Sequence, residues 1–216
     1  MFSAQMLEYA DMAKVYLIGG APRIGKSTIM QKVISQQPMH AVSTDAVREV
    51  LKGVLSEADN PELFKSAIGQ FDSEANILAM KNRSESLVPH YLEHFEVVWK
   101  SVNDLLVCNI NNERDTIVEG TAILPHNVAL LPYDHKAVFV VNLEDQTEVM
   151  LAHVQKNSHD WLNLYGEEVT VAFARLTQEL NKYYYQQALQ YNMPVIVIKN
   201  DMFESDIEKA AATLLS

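Results

Sequence analysis

The chain has 216 residues, of which 48% are hydrophobic, and its 17 basic and 28 acidic side chains give a formal net charge of −11. A chain of this size can bury a full core as one domain, and the acidic balance disfavours a nucleic-acid partner, which needs a basic track. No apolar run is long enough to cross a bilayer and the N-terminus lacks signal-peptide character, so we expect a cytoplasmic protein without a membrane partner. The oligomeric state stays open.

The first predicted strand, residues 15–18, leads directly into a phosphate-binding pattern, G-x-x-x-x-G-K-[ST], at residues 20–27. Its glycines let successive backbone N–H groups surround an anion, and a helix is predicted to follow, with its positive end facing the phosphates. In this pattern Lys26 reaches the β- and γ-phosphates and the Ser27 hydroxyl can ligate Mg²⁺. The predicted nucleotide-binding residues are Gly20, Ala21, Pro22, Arg23, Ile24, Gly25, Lys26, Ser27 and Thr28.

A second, weaker strand is predicted over residues 40–43, and Asp45 follows it. Arg48 lies one helical turn further on, so both side chains are expected to face the same cleft. In a phosphotransferase Asp45 could accept the proton of an acceptor hydroxyl, while Arg48 could hold an anionic acceptor. The alternative for Asp45 is a helix N-cap.

Residues 55–112 are too long for a simple crossover and predict a helical insertion that contains a strong amphipathic helix. Cys108 lies among apolar neighbours, which favours a buried structural thiol. His90 and His94 have a spacing that can ligate zinc, but no third ligand is obvious nearby, so surface or half-buried histidines are favoured.

Glu119 follows the third predicted strand, residues 116–118, at the edge of the sheet where ligands collect. It is either a carboxylate of a magnesium or acceptor site or an ordinary acid at a strand end. Strands are then predicted over 137–141 and 195–198, with a long helix after Gly166 and a last helix that starts at a Ser205–Glu208 capping box. The alternation predicts a single α/β domain, a three-layer sandwich on a five-stranded parallel sheet.

Four segments together resemble the 2-phosphoglycerate kinase group of P-loop kinases: the loop at 20–27, the runs at 43–50 and 117–121, and the final strand. More distantly they are similar to polynucleotide kinases, zeta toxins and chloramphenicol phosphotransferases. The resemblance implies a P-loop NTPase fold with strand order 2-3-1-4-5, and ATP and Mg²⁺ as co-substrates. It also implies that Asp45 is the base, that Arg48 binds the acceptor, and that an arginine-bearing lid follows the fourth strand.

The lid region, residues 144–166, departs from this pattern because it contains no arginine. Lys156 and Arg175 are therefore the candidates to supply the missing positive charge. Arg23, at a free position of the loop, could touch a phosphate or face solvent. The sequence predicts an ATP-dependent kinase that acts on a hydroxyl of a small, anionic metabolite, with residues 55–112 on the acceptor side. The alternative is a P-loop ATPase or nucleotide-binding regulator without such an acceptor.

Overall fold

The computed structural model describes residues 13–64 and 74–216, except for some side chains between positions 74 and 90. A three-turn helix follows most strands, and a 3-10 helix, Trp161–Leu164, lies in the lid region. In chain order the elements are β1 (Val15–Gly20), α1 (Lys26–Gln36), β2 (His40–Ser43), α2 (Thr44–Val54), α3 (Pro61–Phe64), α4 (Glu74–Asn111), β3 (Thr116–Gly120), α5 (Pro125–Val128), β4 (Lys136–Val141), α6 (Thr147–Lys156), α7 (Glu167–Gln190), β5 (Val195–Val197) and α8 (Phe203–Leu215).

The five strands form one parallel sheet in the order β2-β3-β1-β4-β5, which confirms the predicted order. β1, at the centre, is buried along its whole length. Helix α1 packs against α8, and α4 packs against α7. Because the crossovers of parallel sheets are right-handed, these two pairs cover opposite faces and complete the three-layer α/β sandwich.

The predictions of the α8 capping box and of a buried Cys108 are wrong. Helix α8 begins at Phe203, two residues before the predicted capping box, and the Asp206 carboxylate instead accepts a hydrogen bond from the Lys199 backbone at 2.9 Å. Cys108 is exposed rather than buried, because the buried stripe of α4 runs through Leu106 and Ile110, and a residue halfway between them points to the opposite side.

The prediction of a surface or half-buried histidine is wrong for His94, which is buried, with Nδ1 3.2 Å from the backbone oxygen of Glu62. The side chain of His90 lies outside the described residues. Within the described part of the chain no group of three or more histidine, cysteine or acidic residues has a metal-binding arrangement. None of the helices described is both long and apolar enough to cross a membrane.

Gly120, the last residue of β3, brings the sheet into close contact with the start of α2. Its φ is +150°, and a Cβ built there would lie 1.8 Å from Oγ1 of Thr44, the buried first residue of α2. A side chain at position 120 would therefore push α2 away from the sheet. The position of Asp45, one residue after Thr44, depends on this contact.

We expect Gly120→Ala to lower the free energy of unfolding by about 2–4 kcal/mol, from backbone strain and the clash with Thr44. The matched control is Gly53→Ala in α2, where an added Cβ meets open space. That change should be neutral or stabilise by up to about 1 kcal/mol, because alanine favours helix. Denaturant unfolding of both variants measures this, and equal effects would refute the close contact.

Candidate functional site

The site forms where three strands end side by side. The parallel register places Glu119 opposite Ile18 on one side and opposite Ser43 on the other. The predicted loop, residues 20–28, turns from β1 into α1, and Gly25, with φ +94°, precedes the first helical residue. The ends of β1, β2 and β3 therefore bring together the loop, Glu119 and the start of α2. Parallel α/β sheets bind their ligands at this edge, beyond the carboxyl ends of the strands.

Lys26 is buried at the base of this loop, and its Nζ donates a hydrogen bond to the backbone oxygen of Ala21 at 2.6 Å. Burial lowers the pKa of Lys26, whereas the negative charges of Glu119 and Asp45 raise it. Both carboxylates thus act on the ammonium group. A cation held in this position is suited to neutralising phosphate charge.

Ser27 and Glu119 form a pair of polar side chains next to Lys26. The Ser27 hydroxyl donates to Oε1 of Glu119 at 3.2 Å, and Glu119 is only 6% exposed. A hydroxyl and a carboxylate in contact supply two of the oxygen ligands that Mg²⁺ prefers, and the remaining positions are left for water and phosphate. The residues present therefore fit a magnesium ion.

Asp45 and Arg48 lie on the same face of α2. Arg48 Nη1 is 3.4 Å from Oδ1 of Asp45, and its Nε donates to Glu49 at 2.9 Å. The interpretation of Asp45 as the helix N-cap is wrong, because Ser43 is the cap and its hydroxyl accepts the Asp45 backbone N–H at 3.2 Å. The Asp45 side chain is 64% exposed, so its carboxylate is accessible to a ligand.

A cavity of about 380 Å³ lies beside the loop. The loop contributes Arg23, Gly25, Lys26, Ser27 and Thr28, and the other lining residues are Gln146, Val149, Met150, His153 and Phe203. This second group comes from the lid region and from the start of α8. The sequence patterns did not indicate these residues, because only the fold brings them to the loop.

The Arg23 guanidinium forms a two-point ion pair with the carboxylate of Asp160, at 2.6 and 2.7 Å. It also lies 5.8 Å from the ring centroid of Trp161. The loop is thereby joined to the lid region. No sequence signal paired Arg23 with residues so far along the chain.

Lys156 and Arg175 are placed elsewhere. Lys156 is exposed at the end of α6, and Arg175 lines a different cavity together with Asp145 and Glu148. Among the described residues neither one lines the cavity beside the loop. Their catalytic roles stay predictions.

No protein-family model matches the chain. The chain is 24% identical over 205 residues to a 2-phosphoglycerate kinase of Methanopyrus kandleri, covering 94% of this chain and 61% of that protein. It is 23% identical over 185 residues to a 2-phosphoglycerate kinase of Methanothermobacter thermautotrophicus, covering 84% and 60%. The chain thus spans about three fifths of the length of these curated relatives. Their name confirms the resemblance found in the sequence.

Among solved structures, a dephospho-CoA kinase from Campylobacter jejuni is 13% identical, with a TM-score of 0.43 and coverage of 91% of this chain and 94% of that one. A deoxyadenosine kinase from M. mycoides with bound dATP is 15% identical, with a TM-score of 0.42 and coverage of 94% and 100%. Likenesses this distant carry no argument. The fold class rests on the sheet order and the loop, which define a P-loop α/β protein.

The Arg23–Asp160 pair predicts a pH dependence of stability. The hydrogen bonds from Arg23 lower the pKa of Asp160, against the opposing effect of burial, and the Leu162 N–H and His153 add to the lowering. A carboxyl group with a depressed folded pKa stabilises the protein above its unfolded pKa, about 3.9, and loses this contribution as the pH falls through the folded value. Asp160→Asn should therefore be less stable than the parent at pH 7, and the difference should shrink below about pH 4.

Chemical unfolding from pH 7 to pH 2.5 measures this difference. Asp201→Asn, which changes an exposed acid outside the pair, is the control and should stay within about 0.5 kcal/mol of the parent at pH 7. An Asp160→Asn curve parallel to that of the parent would contradict the ion pair.

Proposed function

We propose that the protein is an ATP-dependent kinase that transfers the γ-phosphoryl group to a hydroxyl of a small, anionic metabolite, with 2-phosphoglycerate as the first candidate acceptor. The observation that carries this proposal is the arrangement at the ends of β1, β2 and β3. A phosphate loop with a buried lysine lies next to the Ser27–Glu119 pair, and the Asp45–Arg48 pair lies on α2, which follows the adjacent strand β2. The names of the curated relatives support the same activity.

The nucleotide half of the site is residues 20–28. Backbone N–H groups of the loop and of the first turn of α1 bind the phosphates, and the Lys26 ammonium moves from the Ala21 oxygen onto the β- and γ-phosphates. Ser27 and Glu119 would hold Mg²⁺, which neutralises phosphate charge when bound.

The acceptor half is Asp45 and Arg48 on α2. The described helices of the 55–112 segment, α3 and α4, pack against α2. An acceptor carboxylate or phosphate replaces Asp45 and Glu49 as the partner of Arg48. Asp45, released from that contact, accepts the proton of the acceptor hydroxyl. At the same time the hydroxyl oxygen bonds to the γ-phosphorus, and the bond between the γ-phosphorus and ADP breaks. 2-Phosphoglycerate fits this arrangement because it has one free hydroxyl next to two anionic groups.

A P-loop ATPase or nucleotide-binding regulator is the second candidate. The observation in its favour is the lid region at 144–166, which contains no arginine. Such a protein would hydrolyse or sense ATP without a small acceptor.

An acceptor screen separates the two. ADP release should rise well above the ATP-only rate with 2-phosphoglycerate or a related phosphorylated hydroxy acid, and not with neutral alcohols or oligonucleotide ends. Lys26→Ala should abolish this release, since it removes charge stabilisation of about 3 kcal/mol or more without touching the strands of the core. ADP release that is indifferent to every acceptor would favour the ATPase, and full activity of Lys26→Ala would refute both candidates.

The two acceptor-side residues should affect different kinetic constants. Asp45→Asn should lower kcat at least about a hundredfold with little change in ATP affinity, because a general base typically contributes that much. Arg48→Ala should raise the acceptor KM far more than the KM for ATP. Thermal unfolding is the control: since Ser43 caps α2, Asp45→Asn should leave stability nearly unchanged. Normal transfer by Asp45→Asn would show that position 45 is not the base.

A further inference from the structure

The cavity beside the loop has a second strong cation besides Lys26. Of the described residues that line it, Arg23 is the one arginine and Lys26 the one lysine. Phosphoryl transfer spreads negative charge over the oxygens of the transferred group, and an additional arginine there raises the rate greatly. The lid region contains no arginine, so the arginine of the phosphate loop is the candidate for this role.

The backbone at Arg23 is unusual. Its φ of +62° lies in the left-handed region, which glycine adopts freely and larger residues avoid. A residue kept in such a conformation at a binding site points to a function for its side chain. Here the side chain is only 22% exposed and is directed to the lid region instead of into solvent.

The Arg23 guanidinium is held rigidly but is not saturated. Two of its five N–H donors bind Asp160, and three remain for other acceptors. Asp160 is itself fixed, since its side chain is 4% exposed and its Oδ1 accepts the Leu162 N–H at 3.0 Å. Trp161, which faces the guanidinium, packs edge-on against Phe173 of α7 at 5.4 Å. The charge is thus preorganised beside the loop.

We propose that Arg23 is a catalytic residue that contacts the γ-phosphoryl group and supplies the positive charge that a lid arginine would otherwise give. Asp160 is a positioning residue that keeps the guanidinium aimed at the cavity. This inference rests on the proposed function for its kinetic consequence, but its binding consequence needs only that the loop binds ATP. It assigns the charge to the loop rather than to Lys156 or Arg175, which lie away from the cavity.

The binding test compares two ligands in the presence of Mg²⁺, a non-hydrolysable ATP analogue and ADP, by calorimetry. Arg23→Ala should bind the ATP analogue at least about tenfold more weakly than the parent and ADP within twofold, because the lost charge-assisted contacts are to the γ-phosphate. Equal weakening of both ligands, or no weakening of either, would overturn the proposal.

The kinetic test uses the acceptor that gives the highest rate. Arg23→Ala should lower kcat by roughly 10³-fold, in the range expected for such an arginine, and Arg23→Lys should recover part of the loss by restoring a point charge. Arg114→Ala, which changes an exposed arginine outside the site, is the matched control and should stay within about twofold of the parent. Lys156→Ala and Arg175→Ala test the two other candidates for this charge. Parental activity of Arg23→Ala, or a larger loss in Lys156→Ala or Arg175→Ala than in Arg23→Ala, would overturn the proposal.

If Arg23 had only a structural role, substitution of either partner of the ion pair would lower activity by the same amount. Asp160→Asn should cost far less activity than Arg23→Ala, because the arginine remains; equal losses would make the pair a structural link only. Arg23→Ala leaves a buried carboxylate without its cation, so the double variant Arg23→Ala/Asp160→Asn serves where the single variant does not fold. It should fold and still show the selective loss of the ATP analogue.

Failure of the proposed function is distinguishable from failure of this inference. A parent protein that binds the ATP analogue but phosphorylates no acceptor would refute the proposed kinase activity. The relative affinities of Arg23→Ala for the ATP analogue and for ADP would still decide whether Arg23 contacts the γ-phosphate. A parent that binds neither nucleotide refutes both.

Discussion

The parallel register of β2, β3 and β1 is the constraint on which the site depends. It places Ser43, Glu119 and Ile18 in one row, so that the phosphate loop, a buried carboxylate and the start of α2 meet at the same edge of the sheet. A shift of one strand by a single residue would turn the Glu119 side chain to the other face and separate it from Ser27. The register converts three segments far apart in sequence into one polar cluster.

Close packing of backbones keeps this cluster compact. Gly120 lets Thr44 approach β3, and this contact fixes where α2 presents Asp45. On the opposite side of the loop, the ion pair between Arg23 and Asp160 brings the lid region to the cavity. The two contacts differ in kind, because one depends on the absence of a side chain and the other on a charged pair. The first contact positions α2, and the second positions the lid region beside the loop.

The sequence predicted the features that local patterns encode. The loop, the strands and the positions of Asp45 and Arg48 on one helical face follow from short-range spacing, and the strand order came from the resemblance. The sequence did not predict the pairing of Arg23 with Asp160, which are 137 residues apart. A charged residue in a loop does not indicate which distant residue will be its partner.

The wrong predictions have physical reasons as well. Ser43 and Asp45 are both favourable capping residues, and only the backbone geometry of β2 decided for Ser43. Cys108 has apolar neighbours in the chain, but a helix places consecutive residues on different sides, so those neighbours say little about its burial. The burial of His94 depends on contact with α3, which the pattern of the long helix does not reveal.

Delivery of the γ-phosphoryl group of ATP to an acceptor hydroxyl, rather than to water, distinguishes the proposed kinase from an ATPase. Phosphorus NMR of a reaction containing the protein, ATP, Mg²⁺ and 2-phosphoglycerate tests this directly. For a kinase we expect ADP and a new phosphate ester of the acceptor to accumulate in equal amounts, with little orthophosphate. Orthophosphate as the sole new phosphorus product besides ADP, with and without the acceptor, would contradict the proposed kinase activity.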